Sequence, residues 1–179
     1  MSELEEILSG DGYAARPAFI LEGLTAEQAH RPVDGSPRTI YQELWHIAFW
    51  QRISLDWIGG VETPFPTHAG EGFPSAAQAD GESATHEFGT RESSSHESWE
   101  ALRRRFLEDN ARASALAQDV RMLEQFIRCP SRPDQPLRVM TVREQLENLA
   151  AHNAYHLGRI VLLRQLLHAW PPPRGGYTW

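Results

Sequence analysis

The tetrads Thr39-x-x-Gln42 and Thr141-x-x-Glu144 each head a long stretch in which apolar residues recur at helical spacing. In such a capping box the Thr hydroxyl accepts an orphan backbone N–H, and the Gln or Glu side chain reaches back to the cap. Two stretches of this kind confine most of the chain to α-helix. A third tetrad, Thr25-x-x-Gln28, heads a shorter piece. Residues 3–9 begin a first helix on Leu4, Ile7 and Leu8, which Gly10 and Gly12 weaken. Pro17 suits the first turn of a renewed helix, where its missing N–H is no loss, so the first helix is expected to break or kink near residues 10–16. The second runs from Thr39 to Ile58 and stops at Gly59-Gly60. The third runs from Ser98 to Asp119, with Leu102, Phe106, Ala113 and Leu116 inward. The fourth runs from Val142 to Ala169 and is closed by Pro171-Pro172-Pro173. Residues 120–140 read either as strand or as a short extra helix. No run of strands alternates with the helices. The expected fold is all-α, an up-and-down four-helix bundle with a long loop between its second and third helices.

At 179 residues the chain is expected to form one domain over 1–179, long enough to bury a core without disulfides. The lone Cys129 excludes a disulfide framework and a cysteine-based zinc cluster. The net charge of −7 argues against a nucleic-acid partner. Apolar runs such as Ile160-Val161-Leu162-Leu163 fall well short of the roughly 20 residues a membrane span needs. The acidic start Ser2-Glu3-Leu4-Glu5-Glu6 is unlike a signal peptide, and the expected location is cytoplasmic. The loop 59–97 holds six Gly, three Pro and seven acids against one Arg, with His68, His86 and His96. It reads as a solvated acidic insertion. Arg103-Arg104-Arg105 points three ways around the third helix beside Glu100, Glu108 and Asp109, the pattern of a solvated face.

The histidines carry the chemistry. At about 100° per residue, His152 and His156 lie about 40° apart on one helix face. Leu149, Leu163 and Leu167 share that stripe, with Gln145, Asn148 and Arg159 at its edge. His46 lies with Trp50, Ile53 and Trp57 on the inward face of the second helix. Three imidazoles from two helices therefore point into one core. Burying them is costly unless each is hydrogen-bonded or ligated. A divalent metal resolves that cost, and three His plus water leaves the open position of a catalytic site. Hydrogen-bonded core histidines without metal are the alternative. Asn153 stands where a zinc protease of the H-E-x-x-H type has its Glu.

The segments "TIYQELWHIAFWQ" (39–51) and "TVREQLENLAAHNAYHLGRIVLLRQLLHAWPP" (141–172) closely resemble the DinB-like (DinB/YfiT) superfamily of metal-dependent enzymes. The link "LEGLTAEQAHRPVDGSPRTI" (21–40) is also similar to that family's. The resemblance implies a four-helix bundle with a divalent metal, zinc or nickel, held by His46, His152 and His156. It implies a low-molecular-weight thiol as cofactor, such as bacillithiol or mycothiol, in an S-transferase or isomerase acting on a small-molecule electrophile. It also implies a homodimer. Around the ligands, Glu43 is a candidate to orient His46 or act as general base. Asn148, Asn153, Tyr155 and Arg159 are further candidates for the surrounding shell. The competing function is a non-catalytic metal-binding bundle serving as sensor, storage or interaction module.

Overall fold

The computed structural model describes residues 3–10, 15–74, 97–132 and 134–173. Seven helices lie in them: α1 (Glu3–Ser9), α2 (Pro17–Ile20), α3 (Ala26–His30), α4 (Ile40–Ile58), α5 (Trp99–Leu116), α6 (Val120–Leu123) and α7 (Val142–Leu166). A 3-10 turn, Ala69–Gly72, follows α4. The strands β1 (Phe126–Cys129) and β2 (Arg138–Thr141) pair antiparallel, Phe126 opposite Thr141 and Cys129 opposite Arg138. Among the described residues the fold is all-α apart from this ribbon.

The local signals act as their chemistry requires. All three capping boxes form, at Thr25/Gln28, Thr39/Gln42 and Thr141/Glu144. Ser98 caps α5 by accepting the Ala101 N–H. Pro17 opens α2. The long helices end earlier than periodicity suggests: α5 at Leu116 and α7 at Leu166. At the end of α7 His168 takes a left-handed φ of 55°, and three prolines follow.

The 120–140 stretch is both things at once: α6 is a single helical turn and the ribbon follows it directly. Ile127, Cys129 and Met140 turn inward while Phe126 and Val139 face solvent. That alternation is the mark of a half-buried strand, too short here to stand out from helical spacing.

α4 packs against both α5 and α7, and α1 against the same two helices, which makes the bundle. Its core divides around the middle of α4. One part gathers Leu44, Ile47, Leu102, Phe106 and Ile160; the other gathers Ile53, Leu55, Leu146 and Leu149. Phe106 and Leu146 are wholly buried. Trp99, at the start of α5, is buried and donates from Nε1 to the Leu24 carbonyl at 3.0 Å. Arg164 is buried too. It donates to the carbonyls of Ile20 and Ala169, tying α2 and the chain after α7 to one guanidinium. In the arginine triplet, Arg103 pairs with Glu100 and Arg105 grips Glu97 with two bonds, while Arg104 is exposed. Gly12, His86, His96 and the tail from Arg174 lie outside the described residues. No helix is long and apolar enough to cross a membrane among the described residues.

Candidate metal centre

Between the two parts of the core, α4 and α7 bring three imidazoles together. His46 comes from α4, and His152 and His156 from successive turns of α7. One nitrogen of each lies within 4.8 Å of the others. The Nε2 atoms of His46 and His152 are 3.2 Å apart. Two nitrogens at about 2.0–2.1 Å from one tetrahedral ion would be about 3.3 Å apart, so that pair is already spaced as ligands.

The outer nitrogens explain why these rings face this way. His46 Nδ1 sits 2.6 Å from the Gly72 carbonyl. A carbonyl only accepts, so Nδ1 carries the hydrogen and the Nε2 lone pair faces the cluster. His156 Nδ1 lies 2.6 Å from Oε2 of Glu43, which fixes the same tautomer. Oε1 of Glu43 accepts from Arg159 Nε at 2.9 Å. His152 Nδ1 is buried and makes no hydrogen bond.

Burial keeps His46 and His152 neutral. Burial pushes His46 down to about 4, against the pull of the Gly72 carbonyl. His152 is also lowered to about 4, by burial first and then by the neighbouring His156 and His46. Burial pushes the Glu43 carboxyl up, but His156 and Arg159 more than offset it and hold it below the ordinary carboxylate range. The result is two neutral imidazoles beside a compensated carboxylate. That is a donor set suited to a borderline divalent ion, and the residues present fit one.

The segment after α4 proves to be part of the centre. Gly72 offers its carbonyl to His46 at a place where a Cβ would come within 3.3 Å of His46 Nδ1 and 3.4 Å of Trp50 Nε1. Phe73 stacks flat on His46, with centroids 4.0 Å apart and planes 7° apart. Arg38 in turn lies over Phe73, 3.2 Å from the ring centroid. Helical periodicity cannot relate residue 72 to residue 46. The reading of this stretch as a solvated insertion is corrected at Gly72 and Phe73, which both pack on His46.

The other sequence candidates fall in different places. Glu43 faces His156 across the bundle, not His46 on its own helix. Arg159 is the second partner of Glu43, and its NH1 also donates to the Tyr155 hydroxyl at 3.3 Å. Tyr155 is otherwise exposed. Asn153 is buried and donates from Nδ2 to Gln51 Oε1 at 2.9 Å; Gln51 passes the chain on to the Phe106 carbonyl. Asn148 is exposed and lines a cavity of about 500 Å³ that ends on His152. Trp50 and Trp57 wall that cavity. Trp57 donates from Nε1 to the Thr63 carbonyl at 2.7 Å, and Trp50 stands edge-on to His46 with centroids 6.5 Å apart. Cys129 is buried and also lines the cavity, and burial pushes its thiol pKa up.

A family model described as the DinB superfamily matches residues 15–160. The chain belongs to the DinB superfamily. The match spans all three histidines, the whole of α4 and α7 as far as Ile160. No curated protein and no solved structure matches this DinB-superfamily chain. The three-His cluster is compatible with metal binding in such a protein.

Proposed function

We propose that this DinB-superfamily chain is a metal-dependent enzyme that transfers a low-molecular-weight thiol to a small electrophile. Zinc or nickel would be held by Nε2 of His46, His152 and His156. One observation carries the reading: three imidazole nitrogens gather within 4.8 Å of one another, and one of the three residues, His152, lines an open cavity. A divalent ion bound there supplies a Lewis acid that makes a thiol or water nucleophilic near neutral pH.

The chain's own residues have definite tasks. The Gly72 carbonyl and Phe73 hold the His46 ring. Glu43 holds His156 by Nδ1, and Arg159 balances the Glu43 charge. Trp50, Trp57 and Phe65 restrict water at the inner wall of the cavity. The test is turnover. Zinc- or nickel-loaded protein is given several low-molecular-weight thiols with an electrophile such as a haloarene. Metal-dependent thioether formation, with the carbon–halogen bond broken and halide and the thiol proton released, supports the proposal, and its absence for every thiol and metal counts against it.

A second reading has its own support. Both oxygens of Glu43 are committed, to His156 and to Arg159, so no carboxylate stands ready as a base beside the cluster among the described residues. That suits a non-catalytic metal-binding bundle, in which metal binds tightly and no thiol is turned over.

A further inference from the structure

The cavity beside His152 lies between α4, α7 and the β1–β2 ribbon. Its charge is opposite to that of the whole protein. The chain carries −7, yet two arginines, Arg132 and Arg138, line this cavity and, among the described residues, no Asp or Glu does. Among the described residues neither guanidinium makes an ion pair or a side-chain hydrogen bond. Arg138 only feels Cys129 and Glu144 at longer range. Arg105 and Arg159, by contrast, are each bound to a carboxylate. In the same wall the Ser131 hydroxyl is buried without a partner. Three aromatic rings, Trp50, Trp57 and Phe65, also line the cavity. A volume of about 500 Å³ suits a small organic molecule.

From this we infer that the cavity takes a small carboxylate with an apolar or aromatic body. The carboxylate lies on Arg132 and Arg138, the body lies against Trp50, Trp57 and Phe65, and the far end is directed at His152. A guanidinium fork matches the two oxygens of a carboxylate, and the aromatic wall excludes a strongly hydrated body. The inference rests on the metal reading for the role of the end at His152. The anion subsite is independent of that reading.

The probe is 3-phenylpropionate, compared with neutral 3-phenylpropan-1-ol. Binding is followed by calorimetry and by the indole N–H signals of Trp50 and Trp57, with metal-free and zinc-loaded protein. The acid is expected to bind both forms and to shift those indole signals. The alcohol should bind about tenfold more weakly or worse, the scale of a lost charge-assisted bond. Arg132→Gln and Arg138→Gln should each weaken the acid by a similar factor while zinc loading stays intact. Both side chains are exposed, so the fold is kept, and circular dichroism checks that. Equal binding of acid and alcohol overturns the inference, as does no binding at millimolar probe. Binding that needs zinc and ignores both substitutions also overturns it, since the carboxylate then sits on the metal. Arginine-dependent binding in a protein that takes up no zinc upholds this inference and sinks the metal reading alone.

Discussion

Nδ1 of His156 and Oε2 of Glu43 lie 2.6 Å apart across the α4–α7 interface, with Glu43 wholly buried. This bond joins a candidate metal ligand on one helix to a carboxylate on another, and Arg159, from the same helix as His156, donates to the second oxygen of that carboxylate. Partners of this kind orient a ligating imidazole and raise its basicity. Glu43→Gln keeps the shape and removes the charge. It should weaken zinc binding by about 10–100-fold, read by competition with a chromogenic chelator. Unchanged affinity would mean that the carboxylate serves only the helix interface.

Gly72→Ala tests the loop's part in the centre. The added Cβ meets His46 Nδ1 at 3.3 Å, so the 2.6 Å bond to the carbonyl must lengthen. The loss should be on the order of one hydrogen bond, about 1 kcal/mol, and should appear as several-fold weaker zinc binding with little change in melting temperature. A wild-type affinity would show that the chain around residue 72 is incidental to His46.

Much of this arrangement is written in the chain, and the missing parts have a common cause. Thr39, Thr141 and the apolar periodicity place α4 and α7, and the turn angle alone puts His46, His152 and His156 inward. Spacing along one helix says which residues share a face, but not which residue faces them from another element. Glu43 therefore reads as a partner of its own-helix neighbour His46, although it points to His156. Gly72 and Phe73 are invisible for the same reason, because a loop has no period. The ribbon is hidden by length: two strands of four residues carry too little alternation to outweigh helical spacing.

The pH dependence of the metal-free protein follows from the depressed histidines. His46 and His152 titrate near 4 in the fold, against 6.5 for the free side chain. Between those values the unfolded chain binds more protons than the folded one, so stability falls as pH drops from 6.5 towards 4. Glu43 acts in the same sense. Its folded value is lowered, so its contribution is present above the ordinary carboxylate range and is lost as pH falls through the folded value. Melting of chelator-treated protein should be flat from pH 7 to 8 and decline below 6.5. A melting temperature unchanged down to pH 4.5 would contradict buried neutral imidazoles.

Phe106→Ala separates fold from site. The ring is wholly buried in the core part that holds Leu44, Ile47 and Leu102. Its removal should cost about 3–5 kcal/mol in chemical denaturation, with zinc stoichiometry unchanged in the protein that remains folded. Loss of zinc at full folding would reveal coupling between the core and the centre.

The central claim is that His46, His152 and His156 hold one divalent ion in a bundle that stands without it. The most direct measurement is elemental analysis of tag-free protein after zinc or nickel loading and dialysis. Wild type is compared with His46→Ala, His152→Ala and His156→Ala, and each melting curve is recorded alongside. The account predicts about one equivalent in the wild type, essentially none in each variant, and folded protein throughout. A wild type that retains no metal after loading, or variants that keep a full equivalent, would contradict it.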